Sequence, residues 1–317
     1  MNRPARSLHR PEPGEAAAAS FSTLRRFHYG ELSTTAVVAG TSGALVVCLH
    51  GFPDNLHSFR HQMAALVAAG CQVVCPALPG YEPSSLDPAG HYDMDSVADR
   101  LLALIRQVRQ ELGQADQPVH LIGHDWGAIA GFAAVNKAPA LFRTFTSISI
   151  PYNLSWQGIL RHAPAYVRYA WYIQLFQLPL IPENLLLRSN GKFIDRLLRD
   201  WSPGWEMPQA IREDIKATLT QPGVKQAALA YYRAIPGLSV RARRSRAILN
   251  DHIAVPTLLI EGTQDGCIHP HLWHLLDPAS FTAGMTHARV ESGHFPHQEQ
   301  PQVVNRLLLQ HLPGKAS

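Results

Sequence analysis

The chain runs to 317 residues, of which 46% are hydrophobic and 16% charged, enough for one large α/β domain carrying an insertion. Lys and Arg outnumber Asp and Glu by 28 to 24, and a balance of +4 is too small for the electrostatic footprint of a nucleic-acid binder. Mean hydropathy is −0.08 and no apolar run approaches the ~18 residues of a membrane span, so neither a disordered chain nor a helical membrane protein fits.

In chain order, residues 1–20 come first. Arg3, Arg6 and Arg10 precede only a short alanine stretch, not the apolar core of a secretory leader, and this segment is expected to be a mobile tail. Residues 21–40 read as two strands with a turn near Gly30. The apolar run 44–49 ends abruptly at His50-Gly51-Phe52-Pro53, as a buried parallel strand does. Residues 55–69 have helical spacing and stop at Gly70; 71–76 is a further strand, 95–112 a helix stopped by Gly113, and 118–122 another strand. A tight turn at 123–127 leads at once into a helix at 128–137, followed by a strand at 141–150. This alternation predicts right-handed βαβ units and a mostly parallel sheet flanked by helices. From 152 to 248 the text is helical, aromatic and Pro-rich, with no convincing strand. Strands return at 255–261 and 288–291, and a last helix spans 301–312. The expected organisation is therefore a core of residues 21–151 and 249–317, interrupted by a helical cap at 152–248. The four cysteines, Cys48, Cys71, Cys75 and Cys267, lie mostly in apolar stretches without metal-type pairing, as buried thiols in a reducing cytoplasm would.

The chemistry concentrates where strands end. Gly123-His124-Asp125-Trp126-Gly127 stands between an apolar strand and a helix, the setting of a nucleophile elbow, with Asp in the place where a hydrolase usually has Ser. A carboxylate there is already ionised and can attack carbon directly to form an ester; Asp also caps helices, which is the plainer use of it. Asp265 follows the strand 255–261, and His294 follows the last strand in Ser292-Gly293-His294-Phe295. The order Asp125, Asp265, His294 is that of nucleophile, acid and base in an α/β-hydrolase. The amides of Phe52 and Trp126 are the expected oxyanion hole, with Pro53 fixing the loop and a cis Phe52–Pro53 bond compatible with it.

On these residues the sequence resembles the epoxide hydrolase branch of the α/β-hydrolase superfamily, over nearly all of residues 21–312. The family's HGFP loop, HDWG elbow and GHF plus E-x-P segment stand here as His50–Pro53, His124–Gly127, and His294, Phe295, Glu299 and Pro301. The resemblance implies two cap tyrosines that hydrogen-bond the epoxide oxygen. Its first cap motif, Y-x-x-x-F-Q-x-P, corresponds to Tyr172, Phe176, Gln177 and Pro179; its second, L-x-x-Y-R, to Leu229, Tyr232 and Arg233. Tyr166, Tyr169 and Tyr231 are close by and compete for those roles. The implied activity is cofactor-independent hydrolysis of a small apolar epoxide to a diol, in a pocket lined by Phe52, Pro53, Trp126, Trp171, Phe176 and Phe295, with Trp205 added to an apolar floor. No nucleic-acid partner and no metal are expected; homodimerisation is left open.

Two features invite other readings. Arg241 to Arg246 is a basic run best taken as a solvated surface, and His269, His271 and His274 crowd together without a metal-site framework. A dehalogenase would use the same Asp, but Phe52 stands where haloalkane dehalogenases tend to have Asn and Trp126 where fluoroacetate dehalogenases have Arg. A catalytically idle ligand-binding hydrolase is the third reading, because fold does not fix function.

Overall fold

The computed structural model describes residues 22–152, 163–235, 237 and 239–312, so the stretch expected to be a mobile tail lies outside the described residues. Eight strands, β1 (Ser22–Tyr29), β2 (Leu32–Ala39), β3 (Leu45–Leu49), β4 (Gln72–Pro76), β5 (Val119–His124), β6 (Phe142–Ile148), β7 (Thr257–Gly262) and β8 (Met285–Val290), form one sheet. Their order is β1-β2-β4-β3-β5-β6-β7-β8. β2 runs antiparallel to β1 and to β4, and every other neighbouring pair is parallel. This is the expected α/β-hydrolase architecture, a mostly parallel sheet covered on both faces.

The central strands are apolar throughout because both faces are buried. Val46, Cys48, Ile122 and Ile260 point to one face, packed under α1 (Arg60–Ala68) and the terminal helix. Leu45, Val47, Leu49 and Leu121 point to the other, against α2 (Met94–Glu111) and α3 (Trp126–Lys137). Between β6 and β7 the described residues include α4 (Ala163–Tyr169), α5 (Trp171–Phe176), α6 (Ile181–Trp201), α7 (Gln209–Thr220), α8 (Val224–Arg233) and α9 (Val240–Leu249), and no strand. α6 is broken at Arg188–Gly191, where Ser189, Asn190 and Gly191 are left-handed. After β8 come α10 (Pro296–Glu299) and α11 (Pro301–His311).

Two boundaries differ from expectation for local reasons. α1 begins at Arg60, not near residue 55, because side chains satisfy the preceding backbone: Asn55 N–H donates to Asp54 Oδ1, and His57 N–H to Asn55 Oδ1. β8 begins three residues before the expected 288. Its exposed, mixed composition, with Thr286 and His287 outward, carries no apolar run because it is the sheet edge.

Candidate active site

Asp125 occupies the turn from β5 into α3 with φ 48° and ψ −120°, a backbone conformation that residues with a Cβ rarely adopt. The turn is tight enough that a Cβ on Gly127 would overlap the Leu49 and His50 carbonyl oxygens, and one on Gly51 would overlap the Asp125 side chain. Glycine spacing in the sequence is therefore the imprint of backbone approaching backbone. Asp125 is buried, and its Oδ1 accepts the Phe52 N–H at 2.8 Å. Trp126 opens α3, so its N–H is one of the first-turn donors that no intrahelical carbonyl can satisfy. The loop carrying Phe52 is held by His50, whose Nε2 accepts the Leu78 N–H at 3.0 Å while Nδ1 lies 3.0 Å from the Gly51 carbonyl. One ring nitrogen must accept and the other donate, so His50 is the neutral Nδ1–H tautomer. The Phe52–Pro53 bond is cis and Pro53 is buried.

His294 stands between Asp265 and Asp125. His294 Nδ1 lies 2.8 Å from Asp265 Oδ2, and Nε2 lies 3.6 Å from Asp125 Oδ2 with no hydrogen-bond partner. Asp265 Oδ1 in turn accepts the N–H groups of Cys267 and Ile268 at 2.7 and 2.9 Å, which fixes the carboxylate. Burial works against charge on His294, but the adjacent Asp265 carboxylate, helped by Asp125, carries its pKa well above the usual histidine value. Burial likewise works against the Asp125 carboxylate, and the neighbouring His294 imidazole pulls its pKa below the ordinary range. Both shifts favour the charged forms of this pair, 3.6 Å apart.

Tyr172 on α5 and Tyr232 on α8 are both buried, with ring centroids 5.9 Å apart, and each meets the Phe176 ring. Tyr232 also packs edge-on to Phe52 at 5.5 Å and to Trp126 at 4.9 Å. Its hydroxyl makes no hydrogen bond to the described residues, whereas the Tyr172 hydroxyl lies 3.1 Å from Cys267 Sγ. Burial, then neighbouring groups that include Asp125, push both phenols well above their normal pKa, so both are neutral donors at physiological pH. The competing tyrosines are accounted for otherwise. Tyr231 donates to the Pro79 carbonyl at 2.7 Å, and Tyr166 and Tyr169 pack against His269.

Phe52, Phe176 and Phe295 are wholly buried around this centre, and Phe295 meets the His294 ring at 5.2 Å. Trp171 does not join them: it is 36% exposed and lies under the Arg196 guanidinium, because its position on α5 turns it away from Tyr172's face. Trp205 is partly buried and meets the Phe295 ring at 6.2 Å.

Four contributors were given no role in the site from sequence. The Trp201 ring sits 5.3 Å from His294 and 4.9 Å from Tyr172. Ser202 Oγ accepts the His294 N–H at 3.1 Å and donates to Glu299 Oε1 at 2.7 Å. Glu299 also accepts the N–H groups of Gly293 and Phe295, binding both sides of His294; the E-x-P segment was its only signal. Cys267 is buried as expected of the cysteines, but against Asp265, His294 and the Tyr172 hydroxyl. Among the described residues, the side chains close enough to share an ion are those of Asp265, Cys267 and His294, not the His269–His274 group.

Residues 44–301 match the family model described as alpha/beta hydrolase fold. The AB hydrolase superfamily protein YfhM of Bacillus subtilis is 28% identical over 86% of this chain and 91% of its own length. Epoxide hydrolase 4 of Mus musculus is 29% identical over 89% of this chain and 75% of its own. A fluoroacetate dehalogenase of Burkholderia sp is 27% identical over 91% of this chain and 93% of its own. In fold, the chain resembles the crystal structure of epoxide hydrolase A from Mycobacterium thermoresistibile, with a TM-score of 0.75 at 24% identity, covering 92% of this chain and 98% of that one.

Proposed function

The chain belongs to the α/β-hydrolase family, and from there we propose that it is an epoxide hydrolase acting through an ester on Asp125. One observation carries the reading: a buried carboxylate on a strained elbow shares an aromatic pocket with two phenols held neutral. Epoxide opening needs both parts, because alkoxide is a poor leaving group unless an acid stabilises it. Similarity to proteins named epoxide hydrolase supports the same class.

Phe52 engages Asp125 Oδ1, which leaves Oδ2 to attack an epoxide carbon. The C–O bond breaks as Tyr232 and Tyr172 hydrogen-bond the departing oxygen, which takes a phenolic proton, and the proton that His294 then releases restores the phenol. Esterification removes the Asp125 charge that helps His294 hold its proton, so the imidazole turns into a competent base just when one is needed. It takes a proton from water, which adds to the ester carbonyl carbon; the Phe52 and Trp126 amides bind the resulting oxyanion. Collapse of the intermediate frees a vicinal diol and restores the carboxylate. In this reading residues 152–248 are a cap: α5 and α8 lower Tyr172 and Tyr232 onto the core, and the apolar surround selects aryl or alkyl epoxides.

A dehalogenase is the second reading. The Trp126 indole N–H is buried without a partner, as a halide-binding donor would be, and a fluoroacetate dehalogenase is among the similar proteins. Halide departure requires no proton, however, and gives two phenols nothing to do. Turnover should be measured on aryl and alkyl epoxides as diol formed, and on a haloalkane and fluoroacetate as halide released. Diol without halide is the expected result; halide without diol would transfer the site to the second reading.

A further inference from the structure

The basic run after α8 is sorted by its helix. On α9, Ala242 and Ser245 are buried and Leu249 packs on the core beside them. Ser245 Oγ accepts the Asp95 N–H at 3.0 Å and donates to Asp93 Oδ1 at 3.3 Å. Val240, Arg243, Arg244 and Ala247, spaced by three and four, take the opposite side and are exposed. The helix holds four arginines and no acid. Of the four, Arg246 alone is engaged among the described residues, donating to the Gly237 carbonyl at 2.8 Å. Such a face would suit any polyanion, but apolar side chains stand beside it. Val240 is 63% exposed, and Ile235, just past the end of α8, is exposed too. The loop from α5 to α6 is tied to that same end, because Arg233 donates to the Phe176 and Leu178 carbonyls while pairing with Glu183 at 2.6 Å. It leaves Leu178, Leu180 and Ile181 in solvent, Leu180 at 73%. Five of the nine large apolar side chains exposed among the described residues therefore lie along this edge, which a surface facing only water has no reason to collect.

We propose that this edge, made of α9, the end of α8 and the α5–α6 loop, docks on an anionic phospholipid surface. Arg241, Arg243 and Arg244 meet the headgroups, and Leu180, Ile181, Ile235 and Val240 reach the acyl boundary, the combination that holds interfacial proteins. No helix of the described residues is long and apolar enough to cross a membrane, so the contact is peripheral. Ile235 and Arg246 also line a cavity of about 270 Å³ together with Met94, Trp126, Ile129 and Leu249. An apolar molecule leaving the bilayer there meets an apolar space that reaches the residue next to Asp125. The docking itself is independent of the epoxide reading.

The test sediments the full chain with vesicles of phosphatidylcholine and phosphatidylserine in equal parts and with vesicles of phosphatidylcholine alone, and measures its binding to polyuridylate in parallel. Wild type should bind the mixed vesicles, bind them less as salt rises, and leave pure phosphatidylcholine largely bare. Arg243→Ala combined with Arg244→Ala should lose affinity on the order of tenfold, since each arginine near such a surface counts for several-fold. Leu180→Ser combined with Val240→Ser should lose a similar factor but keep the salt dependence, which separates acyl contact from charge. All four positions are exposed, and unchanged thermal melting of both variants checks their folding. Equal binding to the two kinds of vesicle, or binding to neither, would overturn the proposal. So would a serine variant that binds as wild type does; polyuridylate held through the same arginines would then mark a nucleic-acid site.

Discussion

Tyr232 and Tyr172 are both buried phenols, their rings 5.9 Å apart, yet they are not equivalent. Tyr232 has a free hydroxyl, so its proton is available to an entering oxygen at no cost in broken bonds. Tyr172 already pairs with Cys267 Sγ and must share that interaction or give it up. Tyr232→Phe should therefore slow epoxide opening on the order of 10²-fold, the usual worth of a general acid, and Tyr172→Phe by less. Single-turnover kinetics on an aryl epoxide would rank them; equal, negligible effects would remove acid assistance from the mechanism. His294→Gln isolates the other half of the reaction. Ring opening retains its nucleophile and donors, so an ester should accumulate, visible by mass spectrometry as substrate mass added to the Asp125 peptide. An unmodified peptide after incubation with bound substrate would contradict the covalent route.

At the scale of elements, the site depends on how the end of α6 meets the loop after β8. Ser202, just beyond α6, and Glu299, at the end of α10, hold His294 by its backbone and not by its ring. Glu299→Gln replaces a carboxylate that accepts three hydrogen bonds with an amide whose nitrogen cannot accept. On the proposed mechanism Asp125, Asp265 and His294 stay intact but the base loosens, and displacement near 1 Å can cost up to ~10²-fold. The expected signature is selective: ester formation near the wild-type rate, ester hydrolysis slowed, and more ester at steady state. Equal slowing of both steps would mean that Glu299 supports the whole pocket and not His294 in particular.

For the whole molecule, the telling feature is how many histidines are buried neutral. Burial lowers the pKa of His50 and His297, and takes His120 and His124 to about 4. In the unfolded chain such groups take up protons near pH 6.5, so between there and about pH 4 the unfolded state binds more protons and stability falls with pH. His294 acts oppositely: its raised pKa contributes stability that is complete below pH 6.5 and is lost as pH rises through its folded value. His311 is lowered by burial as well, so five rings act against one and the balance is loss of stability on acidification. Each lowered histidine contributes on the order of 1 kcal/mol per pH unit within that window, so denaturant melts at pH 7 and pH 5 should differ by a few kcal/mol. A midpoint that did not move, or rose, would show that these rings are protonated in the folded state.

What the sequence determined by itself was whatever the backbone constrains locally. The elbow was legible because only glycine fits beside Asp125, and the sheet because strands buried on both faces must be apolar throughout. The order of Asp125, Asp265 and His294 followed from strand ends, which parallel connections bring to one edge of the sheet. Tertiary structure decided which side chains reach that edge. Tyr231 and Tyr232 are adjacent on α8, about 100° apart around the helix, and only the docking of Tyr231 on the Pro79 carbonyl assigns the pocket to Tyr232. Trp171 and Tyr172 divide in the same way, one under Arg196 and one against Cys267 Sγ. Trp201, Ser202 and Cys267 carried no sequence signal, since what places them is a contact between segments far apart in the chain, and periodicity records a residue's burial but not its neighbour.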